Sequence, residues 1–138
     1  MWETIDPTIL AVLPKQPLNG ASVNGTHSSG HEWSDSLRKL EQFRVEYTQD
    51  DWDGQGAPAI SREVLDRAAL LARSLHSQGV LAPSWVLPSV QRSVGFEWDL
   101  EHGVSITLEI VEPGIAELFL FTPGKPTEHY VLSGAVTA

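Results

Sequence analysis

Cysteine is absent from this 138-residue chain. That excludes disulfides, thiolate metal sites and a cysteine nucleophile together. Stability must therefore come from an apolar core, which a chain of this length can build as one domain. Long apolar runs are absent as well. The stretch from Ile9 to Leu13 is closed by Pro14 and is too short for a signal-peptide core or a membrane span, so a cytoplasmic location is the default expectation. Positive charge is scarce, with nine Lys and Arg against 18 Asp and Glu and a formal net charge of −9. Such a surface repels phosphates and anionic lipid, so neither direct nucleic-acid binding nor membrane binding is expected. It attracts a partner with a basic surface.

What is present is unevenly spread. From Glu32 to Asp66 there are nine acids and four bases; from Arg67 to Phe96 there are three arginines and no acid; from Glu97 to Glu128 there are seven acids and Lys125 alone. Residues 1–31 contain Pro7, Pro14, Pro17 and the small polar run from Asn19 to Gly30, a composition that does not repay the entropy of ordering. They read as a flexible arm preceding a single domain, 32–138. Ile9 to Leu13 is its apolar exception, able to dock on the domain or on another chain.

Two helices are predicted next. Ser34 is positioned to cap the first, and Trp33, Leu37, Leu40, Arg44 and Tyr47 recur at steps of three and four. After a loop from Gln49 to Ile60, Ser61 caps a second helix ending near Gln78, with Gly79 as a left-handed stop. Val64, Leu65, Ala68, Leu71, Ala72 and Leu75 form its apolar face. Beyond Pro83 the period changes to two. Trp85 to Leu87, Val94 to Asp99, Val104 to Ile110, Ile115 to Phe121 and Glu128 to Leu132 read as strands joined by short turns, hence an antiparallel meander. The expected class is α+β, with two helices packed on one face of a sheet of four to five strands.

Alternation assigns the faces. Val94, Phe96, Trp98, Val104, Ile106, Leu108 and Ile110 point at the helices, which turns Glu97, Asp99, Thr107 and Glu109 away. The strand from Ile115 has two registers. One buries Ala116, Leu118 and Leu120 and exposes Glu117, Phe119 and Phe121; the other buries Ile115, Phe119 and Phe121. In the first, Glu97, Asp99, Glu109, Glu117, Phe119 and Phe121 form an acidic, aromatic candidate partner-binding face.

The most distinctive local feature is Trp52-Asp-Gly-Gln-Gly-Ala57 with Pro58 and Ser61 beyond it. Gly54 and Gly56 permit positive φ, Asp53 can accept backbone amides, and Trp52 is suited to plug the space between helix and sheet beside Trp98. A structural turn is the expected role. A phosphate site is disfavoured, because Asp50, Asp51 and Asp53 surround the loop and no lysine lies beside it. The spacing of a calcium loop is missing too.

Trp52 to Pro58, together with Ala68 to Leu75, Val94-Gly-Phe-Glu-Trp98 and Thr107-Leu-Glu-Ile110, resembles an uncharacterised group of small prokaryotic and phage proteins. These share a W-D-G-x-G-A-x-P turn and an E-W / L-x-I-E-I hairpin. Gln91-Arg-Ser93 stands where that group has a glycine-rich turn. The resemblance implies a fold and no activity.

Catalytic chemistry finds little support. His27 and His31 sit four apart but in the polar arm, and no two of His76, His102 and His129 share a local motif with a serine or aspartate. Glu97 and Glu109 on neighbouring strands could split their pKa values, yet carboxylates on an open face are usually screened. No cofactor, metal or catalytic residue is expected. The reading that fits best is a small, non-catalytic protein-interaction module. By analogy of size and charge it is comparable to antitoxins, immunity proteins and phage-encoded inhibitors. The alternative is a small hydrolase or transferase with its pocket between the Trp52 loop and the sheet. A nucleic-acid mimic, with Glu97, Asp99, Glu109 and Glu117 spaced as phosphates, is a third.

Overall fold

A computed structural model describes residues 7–15, 32–112 and 114–133. Its elements run α1 (Pro7–Val12), α2 (Trp33–Glu46), α3 (Arg62–Ser77), β1 (Trp85–Pro88), β2 (Val94–Asp99), β3 (Ser105–Glu112), β4 (Ile115–Phe121) and β5 (Glu128–Ser133), with a 3-10 turn at Glu101–Gly103 between β2 and β3. The five strands form one sheet in sequence order, every pair antiparallel. This is the expected α+β meander. Of the expected arm, 1–6 and 16–31 lie outside the described residues, as does Pro113 of the Glu112-Pro-Gly114 turn. The stretch 7–15 is docked, with Leu13 buried and Lys15 bridging to Val80.

α3 forms where the sequence predicts it. Ser61 Oγ accepts the Val64 amide at 3.1 Å, and Gly79 closes the helix at φ 83°. All six apolar residues expected on its inner face are buried, together with Ala69 and Ser74. α2 starts earlier than predicted. Its N-cap is Glu32, which makes no side-chain cap bond, and Ser34 lies inside the first turn and exposed. The reason is Trp33, whose ring is buried and whose indole N–H donates to the Val80 carbonyl at 2.8 Å. A serine cap contributes only about 1 kcal/mol, less than the roughly 1.5–3 kcal/mol gained by burying a large side chain. The buried stripe is correspondingly rotated to Trp33, Ser36, Leu40 and Phe43, leaving Arg44 half-exposed between Glu41 and Asp66 at 3.0 and 2.7 Å.

The core lies between these helices and the inner side of the sheet. Val94, Phe96, Trp98, Ile106, Leu108, Ile110, Ala116 and Leu118 are all buried there. Val104 is only half-buried, at the entry to β3. Two indoles hold the α3–β1 connector: Trp33 binds the Val80 carbonyl, and Trp98 binds the Leu81 carbonyl at 2.7 Å. The Leu81 amide in turn donates to Pro14. The backbone groups of Val80 and Leu81 thus have partners within the fold, as a buried loop requires.

Candidate functional site

The register of β4 decides what stands on the other side of the sheet. Leu118 pairs with Leu108, and Ala116 with Ile110, which puts Ala116, Leu118 and Leu120 inward and Glu117, Phe119 and Phe121 outward. The alternative register, with Ile115, Phe119 and Phe121 in the core, is not the one adopted. Phe121 is 45% exposed and Phe119 half-buried. All six expected face residues therefore share the outer side of one sheet.

Cross-strand register orders this face into rows. Trp85, Glu97, Thr107, Phe119 and His129 stand side by side across the five strands; Leu87, Gly95, Glu109, Glu117 and Val131 form the next row. A shorter row holds Asp99, Ser105 and Phe121. Neighbours within a row are about 4.8 Å apart. Glu97 and Glu109, considered as a pair from sequence, are diagonal to each other. The carboxylates that meet are Glu109 with Glu117, directly opposite, and Glu97 with Asp99, two apart on β2.

Each acid on this face has a local restraint. The Trp85 indole donates to Asp99 Oδ2 at 2.8 Å, and the buried Ser93 hydroxyl donates to Glu109 Oε2 at 2.5 Å. His129 Nε2 lies 3.1 Å from Glu117 Oε1, while its ring stacks parallel on Phe119 with centroids 4.4 Å apart. Glu97 shares a hydrogen bond with Asp99. That bond, then partial burial, then the neighbouring charge, raise the Glu97 pKa above the usual carboxylate range. Two carboxyls that close hold a proton between them more readily than either does alone.

Trp85, Leu87, His129 and Val131 belong to the same surface, with buried Ser93 holding Glu109 from beneath, and were not singled out from sequence. The signal for Trp85 was its parity with Glu97 across a turn, which becomes visible only once the turn length is fixed by the Ser89–Ser93 backbone bond. The five strands contain no lysine or arginine, so this outer face carries acids and exposed rings with no strand cation to offset them.

The Trp52 loop is a self-satisfied turn. Asp53 Oδ1 accepts the amides of Gln55 and Ala57 at 2.8 and 3.0 Å, Asp51 Oδ1 accepts that of Gly56 at 2.6 Å, and Asp50 Oδ1 that of Ala59 at 2.9 Å. Gly54 and Gly56 adopt φ of 76° and 88°. The Ala57 and Gln55 amides hold the Asp53 carboxyl below its ordinary pKa. Trp52 donates its indole N–H to Pro58 and packs on Tyr47, centroids 4.6 Å apart; its ring partner is Tyr47 and not the expected Trp98. Trp98 instead packs on Phe96. A concavity of about 370 Å³ lies elsewhere, between α2 and β1, lined by Glu32, Asp35, Ser36, Lys39 and residues 83–87.

Among the described residues no cluster of His, Asp and Glu could hold a metal ion, and no helix is long and apolar enough to cross a membrane. His27 and His31 fall outside the described residues. His76 stacks on Trp33 and His102 sits exposed in the 3-10 turn.

Fold and site together define an α+β domain whose meander sheet is helix-covered on one face and acidic and aromatic on the other. Comparison with known protein families, with curated proteins and with solved structures finds no match.

Proposed function

We propose that the chain is a non-catalytic protein-interaction module that binds a basic surface of another protein through the outer face of its sheet. The observation that carries this reading is the company the acids keep. Glu97, Asp99, Glu109 and Glu117 share one face with Trp85, Phe119 and Phe121, and no strand supplies a lysine or arginine. Glu109 directly opposite Glu117 is a like-charge pair, which weakens a sheet unless a cation from outside offsets it. Exposed rings beside carboxylates suit arginine and lysine, whose stems pack on aromatic faces while their heads pair with the acids. In this reading the chain occludes a functional surface of its target, as antitoxins, immunity proteins and phage-encoded inhibitors do.

The enzyme alternative requires a pocket beside the Trp52 loop with a displaced acid in it. Asp53 is displaced downward by backbone amides that also hold the turn together, which supports a structural role for that loop. The test is affinity capture from lysate with the wild type and a Glu97→Lys/Glu109→Lys variant, each at low and raised salt. A partner recovered by the wild type, lost from the variant and lost at raised salt supports the face. Identical recovery by both proteins refutes it.

A further inference from the structure

The outer edge of β5 deepens this reading, on which it rests. The hydrogen-bond alternation of an antiparallel sheet fixes which backbone groups β5 leaves free. The Leu100 amide donates to the Val104 carbonyl at 2.8 Å in register with β2–β3, and the Ser89 amide to the Ser93 carbonyl at 2.9 Å in register with β1–β2. Even-numbered residues of β2 and β3 are therefore the bonded pairs between those strands. Odd-numbered residues of β3 then bond Glu117, Phe119 and Phe121 of β4, and the even-numbered residues of β4 bond Glu128, Tyr130 and Leu132 of β5. The N–H and C=O of His129 and Val131 consequently point away from the sheet.

Among the described residues, this edge is open in a way that the other is not. Glu128, His129, Tyr130 and Val131 are all exposed, Val131 at 60%, although the β4 partner of Tyr130, Leu118, is fully buried. At the opposite edge, α2 lies beside β1, Val86 is 8% exposed, and Pro88 has no N–H to offer. β5 has neither proline nor lysine, the residues that usually blunt an edge.

We propose that β5 accepts an extended, basic segment of the partner as a sixth antiparallel strand. Charge selects the occupant. The row Glu109–Glu117–Val131 ends at this edge, so a side chain set opposite Val131 lies about 10 Å, two strand spacings, from Glu117. Arginine spans most of that distance across Val131. A second copy of this chain would bring another Glu128 and another net charge of −9 to the same edge, so the basic segment is favoured over self-pairing. Alternate residues of that segment are apolar and lie beside Tyr130 on the helix side.

The probe is a labelled peptide of about ten residues alternating arginine and valine, followed by fluorescence anisotropy and by amide chemical shifts. The expected result is saturable binding that shifts the amides of His129 and Val131 and weakens with salt. Val131→Pro removes an outward N–H that the β4 ladder does not use, and edge strands tolerate proline there; it is expected to weaken binding about tenfold. Methylating the peptide amides on alternate residues tests the same bonds without altering the protein: one of the two alternating sets weakens binding and the other leaves it unchanged.

Equal effects of both methylated sets, or shifts confined to other strands, overturn strand addition. So does the absence of binding. If Glu109→Lys/Glu117→Lys abolishes binding while Val131→Pro and both methylated peptides retain it, the acidic face stands and the sixth strand falls. Concentration-dependent dimers that Val131→Pro dissociates, with no competition by peptide, would assign the edge to a second copy and also overturn the proposal.

Discussion

On the helix side of the sheet, Phe96, Trp98, Ile106, Leu108 and Leu118 are each at most 2% exposed; on the outer side of the same sheet, Trp85, Phe121 and Val131 are 55%, 45% and 60% exposed. The two faces come from the same alternating segments and are under different demands. The inner face is closed by α2 and α3, and among the described residues its buried side-chain polar atoms all have partners, so a change there is felt as lost packing or a lost hydrogen bond. The outer face keeps large rings and like charges in view of solvent. Neither feature aids folding, and a sheet selected for stability alone would pair those carboxylates with lysine. The contrast separates residues that hold the domain together from residues that await something else.

The largest test of this contrast compares neighbours on β2 and β3. Trp98→Ala should cost about 3–5 kcal/mol in denaturant unfolding, since the ring is fully buried and its indole holds Leu81. Thr107→Ala, on the outer face, should stay within about 0.5 kcal/mol. Similar costs for both would mean that the outer face is packed in solution and the division of faces is false.

The next tests the cover and not the strands. Trp33→Phe keeps a ring near Phe96 but removes the donor to Val80. An unpaired buried carbonyl costs about 1–3 kcal/mol, and the loss should appear as a lower unfolding midpoint. Ser34→Ala, by contrast, should leave the midpoint unchanged, because Ser34 is not the cap. A large loss there would restore the start that the sequence alone suggests.

These two positions also mark how far the sequence could be read. Strand positions to within two residues, meander order, the Ser61 cap and the inner face of α3 follow from periodicity and local chemistry, both of which act within a few residues. The start of α2 and the ring partner of Trp52 do not, because each depends on a contact made across the fold: Trp33 with Val80, and Trp52 with Tyr47. The six face residues were legible as a set only up to the register of β4, where Ala116-Glu-Leu-Phe-Leu-Phe121 is apolar on both parities apart from Glu117. Pairing with Leu108 and Ile110 resolves it. His129 and Val131 were out of reach, since their place at the free edge depends on the whole chain of registers from β1 onward.

Exchanging charge on the outer face should act on stability and on binding with opposite signs. Glu117→Lys replaces a like-charge pair with an opposite one facing Glu109, a gain of about 0.2–1 kcal/mol, partly offset by loss of the His129 contact at 3.1 Å. The same substitution should abolish capture of a basic partner. A variant that both unfolds earlier and binds normally would show that Glu117 serves the fold and not the surface.

The smallest effect is a pH slope. The hydrogen bond to Asp99, then partial burial, raise the Glu97 pKa in the folded chain above its unfolded value. The folded state therefore binds more protons than the unfolded state between those two values, and stability falls as pH rises through that window. Asp53 acts oppositely: its folded pKa is lowered by the Ala57 and Gln55 amides, so its contribution is present above the ordinary carboxylate range and is lost as pH falls through the lower folded value. Glu97→Gln keeps a donor toward Asp99 and abolishes the upper slope while leaving the lower one in place. Denaturant midpoints measured from acid to neutral pH should converge for wild type and variant below the window and favour the variant above it. A basic partner reverses the preference, because a cation beside Glu97 stabilises its ionised form. Binding by the wild type should then tighten with rising pH across the interval in which the free protein loses stability, and a wild-type affinity that is flat with pH would separate Glu97 from the bound surface.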